Sequence, residues 1–227
     1  ALRRSGLWTA NLDDRGWSAL MDWQLYGARG WGSTLAEAAL AWVGAPFEFI
    51  DVEGFDRPGP ERDRLLAVNP LARVPTLIAP GGEIMTESAA IVLRLGELHP
   101  DSGLCPLPDD QLRPAFLDRL IWFVSVVYPT FTYRDYPERW APDAAEQLAE
   151  RVDAFRRSLW LQFEADVGRG PWVLGDQPSA LDIYVTAFSH WRPRRPWIAK
   201  HCPKLHRIAL ATEALPALAP VMARNFP

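Results

Sequence analysis

Asn69-Pro70-Leu71-Ala72-Arg73-Val74-Pro75-Thr76-Leu77-Ile78, then Pro80-Gly81-Gly82, then Glu83-Ile84-Met85-Thr86-Glu87-Ser88-Ala89-Ala90-Ile91 is the stretch on which the fold turns. Val74 to Ile78 and Glu83 to Met85 read as two short strands, because Pro-Gly-Gly between apolar runs is a hairpin signal. Pro75 falls inside the first strand, where it cannot donate to a ladder. Two readings stand. Pro75 opens an edge strand, or Val74-Pro75 is a cis peptide that turns the chain and leaves neighbouring backbone groups for an extended ligand. After the hairpin, Thr86 is placed to cap a helix with Ile91, Val92, Leu95 and Leu98 on one face, ending before His99-Pro100. Glu87 and Ser88 then fall in its first turn, whose N–H groups lack intrahelical partners. They serve local capping, or they receive a ligand, Ser88 its carboxylate and Glu87 its ammonium group.

On the N-terminal side, Trp23-Gln24-Leu25-Tyr26 suits a strand that ends at Gly27. A loop, Ala28-Arg29-Gly30-Trp31-Gly32, follows. Thr34 and Glu37 have the spacing of a capping box, and Leu35, Ala38, Ala39, Trp42 and Val43 recur at helical spacing until Gly44. Phe47 to Val52 alternates as a half-buried strand, which makes residues 23–52 a β-α-β unit. A short helix is expected within Pro60–Val68. Residues 1–21, up to Met21 directly before the first strand, read as an N-terminal extension.

On the C-terminal side, residues 100–110 are rich in Pro, Asp and Gly and read as a linker. Beyond them the helical period dominates, over Leu112–Val127, Pro142–Val167 and Ala180–His190, with shorter pieces near 203–213 and 216–223. Residues 22–99 thus form an α/β domain and 111–227 an all-helical one. Tyr128 to Tyr136 is aromatic-rich and broken by proline. It reads as an irregular segment that walls an apolar pocket through Phe131 and Tyr133, or as packed core. Trp191 to Trp197 is a basic, proline-broken run, the kind that is most often solvated.

Bulk composition limits the function classes. The 227 residues suffice for two small cores. A net charge of -4, from 28 acidic and 24 basic residues, gives no general pull toward nucleic acid or an anionic membrane. Cys105 and Cys202 form no C-x-x-C pair, metal-ligand cluster or dense disulfide framework, so a reducing, cytoplasmic setting without a bound metal is expected. No apolar run is long enough to span a bilayer.

The combination N-P-L-A-R-V-P-T-L, a Gly-containing hairpin and T-E-S-A-A-I resembles the glutathione site of the cytosolic glutathione transferases. Trp172-Val173-Leu174-Gly175 and Pro178-Ser179-Ala180-Leu181-Asp182-Ile183 resemble the helical-domain motif of the same family, with Ser179 and Asp182 as a capping box. The resemblance covers roughly residues 22–215. It implies a thioredoxin-like first domain with Pro75 in cis, Val74 pairing its backbone with the cysteinyl part of glutathione, Glu87 and Ser88 holding the γ-glutamyl end, and Arg73 reaching the glycyl carboxylate. It also implies a homodimer, and glutathione as co-substrate for a small electrophile.

Glutathione transfer needs a thiolate near neutral pH, stabilised by a hydroxyl and a helix N-terminus. Ser33, directly before the expected helix, and Tyr26, aligned with the tyrosine of the tyrosine-type classes, are the candidate catalytic groups. Ser33 is equally placed to be an N-cap. Arg29 and Trp31, on the same loop, are candidates for the substrate pocket, and Arg29 equally reads as a solvated loop arginine. Cysteine is absent from this loop, which argues against a mixed-disulfide oxidoreductase. Gly30-Trp31-Gly32 replaces the S-S-C motif of the isomerase members. The rival function is a non-enzymatic protein that keeps the fold to bind glutathione or another ligand.

Overall fold

A computed structural model describes residues 22–227. The expected extension, residues 1–21, lies outside the described residues. The described residues up to His99 form one compact unit together with Pro216–Pro227, and Pro100–Leu215 form the other. From the sequence, residues 216–227 are expected in the helical domain. Their helix instead completes the α/β unit.

The first unit runs β1 (Trp23–Gly27), α1 (Ser33–Val43), β2 (Phe47–Asp51), α2 (Pro60–Leu66), β3 (Thr76–Ile78), β4 (Ile84–Met85) and α3 (Ser88–Leu98). The sheet order is β2-β1-β3-β4. β1 and β2 are parallel, with Trp23 opposite Phe47, whereas β3 runs antiparallel to both β1 and β4. This is the order of a β-α-β and a β-β-α unit expected from the sequence, and the thioredoxin-like arrangement that the family resemblance implied. Leu25 lies opposite Leu77 and both are fully buried. Tyr26 alternates to the other face, where it packs with Val68, Ile78 and Ile84.

Several expected boundaries shift for local reasons. Thr34 and Glu37 do not form a capping box: α1 starts at Ser33 with Gly32 as its cap residue, no side chain capping it. Both side chains are fully buried and turned toward Asn225. Thr86 does not cap α3, because the cap position falls on Glu87, whose backbone is extended. β3 begins at Thr76, so Pro75 precedes the strand and removes no ladder hydrogen bond from it. α1 ends as expected at Gly44, whose φ of 68° is the left-handed conformation of a helix stop.

The second unit holds α4 (Arg113–Trp122), α5 (Tyr128–Asp135), α6 (Ala145–Asp166), α7 (Ala180–His190), α8 (Arg195–His201) and α9 (Pro203–Glu213). Tyr128–Asp135 is helical rather than irregular. Pro129 stands in its first turn, where a missing N–H costs nothing, and a π-helical stretch, Phe123–Val127, joins it to α4. Phe123 sits at the middle of an aromatic core, stacked on Tyr184 at 5.7 Å and edge-on to Phe163 at 5.1 Å. The expected linker is packed: Leu104 is fully buried, and its carbonyl accepts from the Ala180 N–H at 2.8 Å. α10 (Ala219–Asn225) returns to the first unit and packs on α1. Among the described residues, no helix is long and apolar enough to cross a membrane.

Candidate functional site

Strand directions gather the expected glutathione-binding residues at one end of the sheet. β1 ends where β3 begins, since Tyr26 pairs with Thr76. β4 ends at the same edge, since Leu77 pairs with Met85. The loop 28–32, the Arg73-Val74-Pro75 turn and the Glu87-Ser88 start of α3 therefore leave the sheet together.

The turn before β3 is built by two buried polar side chains. Asn69 donates through Nδ2 to the Arg73 carbonyl at 3.1 Å and to Thr76 Oγ1 at 2.9 Å, and its Oδ1 accepts from the Leu71 N–H at 3.0 Å. Thr76 Oγ1 donates to the same Arg73 carbonyl at 2.8 Å. The Val74-Pro75 peptide is cis. Arg73 is exposed, Val74 half-buried and Pro75 buried. In the sequence Asn69 and Thr76 stand out only as parts of a motif. Two amide- and hydroxyl-bearing side chains bracketing a six-residue turn are the available signal for their bridging role.

At α3, Glu87 is exposed and Ser88 buried. The Glu87 carbonyl already accepts from the Ile91 N–H at 3.0 Å, but its carboxylate does not cap the helix. The carboxylate is thus left for a partner outside the helix.

The β1–α1 loop is closed by Ser33. Its hydroxyl donates to the Ala28 carbonyl at 2.9 Å and accepts from the Ala28 N–H at 3.1 Å, with the residue fully buried. Gly27 makes room for this clasp, because a Cβ there would lie 2.7 Å from Ser33 Oγ and 2.8 Å from the Phe49 ring. Ser33 was expected to give its proton to sulfur. That single proton is committed to Ala28, so the hydroxyl shapes the loop from inside. The α1 start instead offers backbone donors: among the described residues, no acceptor lies on the N–H groups of Gly32 or Ser33.

Tyr26 is half-buried beside Ala28, Val52, Phe55, Leu65 and Ala72. Burial pushes its phenol pKa up, with Glu48 acting in the same direction and Arg64 against it, so the group stays protonated. Trp31 is 37% exposed and meets the edge of Phe55 at 5.0 Å. Arg29, two positions earlier on the loop, is exposed.

The remaining pocket candidates belong to the helical unit. Phe131 is buried, edge-on to Trp191 at 5.0 Å and to Phe188 at 5.3 Å, with the Arg156 guanidinium 4.9 Å from its ring centre. It is core, not pocket wall. Tyr133 is more open and packs edge-on to Trp140 at 4.9 Å. The basic run is not simply solvated either. Arg192 pairs with Asp135 at 3.3 Å, and Arg195 joins Glu213 and His190. Burial acts to raise the Glu213 pKa, but the His190 hydrogen bond and the Arg195 charge outweigh it and hold the carboxyl low.

Asp182 fulfils the expected capping box. It accepts from the Val173 N–H at 2.9 Å and the Ser179 N–H at 2.7 Å. Burial pushes its pKa up to about 6 even against those two bonds.

Comparison with known proteins gives the family and the fold of the chain. A family model described as "Glutathione S-transferase, N-terminal domain" matches residues 25–103. The chain is 42% identical over 202 residues to the "Uncharacterized GST-like protein YncG" of Escherichia coli (strain K12), covering 89% of this chain and 98% of the relative. A maleylacetoacetate isomerase of Pseudomonas aeruginosa is 27% identical over 83% of this chain and 90% of its own length. Among solved structures, a glutathione transferase homologue from Sulfitobacter with bound glutathione has a TM-score of 0.79 at 23% identity. That match covers 91% of this chain and 99% of the other.

Proposed function

The chain belongs to the glutathione S-transferase family, and from that premise we propose that it adds the glutathione thiolate to small, largely apolar electrophiles. The observation that carries the proposal is the convergence, at one end of the sheet, of two helix starts without side-chain caps and the Val74-Pro75 turn between them. An extended peptide with an anionic sulfur and anionic ends matches that set of donors. The glutathione bound to the Sulfitobacter homologue supports the same ligand.

In this reading Glu87 takes the α-ammonium group of glutathione and Ser88 its γ-glutamyl carboxylate. The Val74 backbone pairs with the cysteinyl residue, and Arg73 faces the glycyl carboxylate. The sulfur lies at the start of α1, where the N–H groups of Gly32 and Ser33 and the helix dipole stabilise the thiolate. Its proton leaves to water. The sulfur lone pair forms the new bond to carbon, and the displaced electron pair leaves with the departing group or moves onto the acceptor. Trp31 and Arg29, both exposed on the same loop, flank the incoming electrophile. A second copy of the chain is the proposed partner, tested by sedimentation.

One observation favours the second reading, a glutathione-binding protein without turnover: the Ser33 hydroxyl already serves Ala28. Two measurements separate the readings. The transferase reading expects retention on immobilised glutathione, thiolate absorbance on adding free glutathione, and conjugation of some member of an electrophile panel. Retention and thiolate absorbance without conjugation would select the binding protein. Loss of all three would defeat both.

A further inference from the structure

The last turn of the chain lies against the loop that receives the sulfur. Asn225, in α10, is 5% exposed, and its carboxamide is fully used. Oδ1 accepts from the Gly30 N–H at 2.9 Å and from the Thr34 hydroxyl at 2.9 Å. Nδ2 donates to Glu37 Oε2 at 3.1 Å and to the Val221 carbonyl at 2.9 Å. Two acceptor sites and two donor hydrogens are all a carboxamide has, so no other side chain of this size satisfies the four partners. The partners also fix which end is oxygen, because Gly30 can only donate and the Val221 carbonyl can only accept.

The surroundings hold the carboxamide in place. Glu37 is fully buried, and its other oxygen meets the Arg224 guanidinium. The Arg224 side chain lies over the Phe49 ring, 5.1 Å from its centre. Burial lowers the Arg224 pKa, and the neighbouring charge of Arg29 lowers it further. Gly30 sits at φ 72°, and a Cβ there would lie 3.2 Å from the Asn225 carbonyl oxygen. Loop and tail are therefore fitted to each other at backbone distance.

We propose that Asn225 is a positioning residue for thiolate formation, acting through the loop and not on glutathione itself. It takes the Gly30 N–H and anchors Thr34 in the first turn of α1. The intervening Gly32 and Ser33 N–H groups, which have no acceptor among the described residues, are thereby held in one orientation. Donors aimed in advance stabilise a developing charge without reorganising, and small displacements of such a frame cost rate steeply.

This inference rests on the proposed sulfur position, and the experiment separates the two. Wild type, Asn225→Ala, Asn225→Asp and the double variant Asn225→Asp/Glu37→Gln are compared. The readouts are the pH midpoint of thiolate absorbance of bound glutathione, kcat and KM on the best electrophile, and hydrogen exchange of residues 28–35. Asn225→Ala is expected to raise the thiolate midpoint, lower kcat by about tenfold or more with a smaller change in the KM for glutathione, and speed exchange in the loop. Asn225→Asp keeps the acceptor but sets a carboxylate against Glu37, so it is expected to be worse than alanine in thermal stability. The double variant restores a donor opposite the new acid and the original cluster charge, and it is expected to recover slow exchange and most of kcat. An unchanged midpoint and kcat in a folded Asn225→Ala protein would overturn the inference alone. Absence of bound thiolate in the wild type would overturn the sulfur position and this inference together, whatever the exchange data show.

Discussion

The starts of α7 and α1 present the same problem, unpaired N–H groups, and resolve it in opposite ways. At α7 the chain satisfies itself. Ala180 N–H binds the Leu104 carbonyl, Leu181 N–H binds Ser179 Oγ at 3.3 Å, and Asp182 returns to the Ser179 N–H. At α1 the serine turns back to Ala28, and Gly32, without a side chain, offers no cap. A closed start ties a buried helix to its surroundings and leaves nothing for a ligand. An open start has lower local stability and keeps its donors for something that arrives later.

The largest expected effect tests the closed member of the pair. Asp182→Ala orphans two buried N–H groups and should cost roughly 2–5 kcal/mol in chemical denaturation. A loss under 1 kcal/mol would show that α7 is not held by its cap. The same carboxyl gives a pH signature. Its folded pKa of about 6 lies above the unfolded value near 4. The folded chain therefore binds the proton more tightly, and stability from this group declines as pH rises from about 4 to about 6. The stability of wild type minus that of Asp182→Asn should fall by about 2–3 kcal/mol between pH 4 and pH 7, and a flat difference would contradict the burial argument.

At the open end, Glu87→Ala removes the partner assigned to the glutathione ammonium group. Calorimetry should show affinity weakened about 10- to 100-fold, with thermal stability nearly unchanged. Ser33→Ala is a smaller and sharper probe. It should lower stability by about 1 kcal/mol and leave the thiolate midpoint in place, as the proposed role of the Gly32 and Ser33 N–H groups requires. A clear upward move of that midpoint would return the hydroxyl to the sulfur. Tyr26→Phe should be the mildest, changing kcat/KM less than about twofold, because the ring packs with Val68, Ile78 and Ile84.

The contrast also explains what was legible in the sequence. The Ser179–Asp182 cap could be read directly, because a capping box is local and its partners are three residues apart. The sheet was likewise legible from the hairpin signal, whereas Pro75 left an edge-strand start and a cis peptide both open, and only the family resemblance pointed to the cis form. Thr34 and Glu37 have the same local spacing, and there it misled, because a residue nearly two hundred positions away claims both side chains. No periodicity within residues 30–37 carries that information. Phe131 was misplaced for a related reason: aromatic, proline-flanked sequence looks the same whether it lines a pocket or, as here, packs on Trp191 and Phe188. The Asn69–Thr76 bridge lay in plain view but served only as a motif until its hydrogen bonds were seen.

The return of α10 to the first unit gives the molecule an order of assembly. Residues up to His99 leave the ribosome long before Pro216–Pro227, yet the loop around Gly30 lacks its Asn225 partner until α10 emerges. A nascent chain carries the sheet, and later the helical unit, before the loop 28–32 is closed. Only a chain that includes α10 closes that loop, so a truncation before Ala219 leaves Gly30 and Thr34 without the acceptor they share.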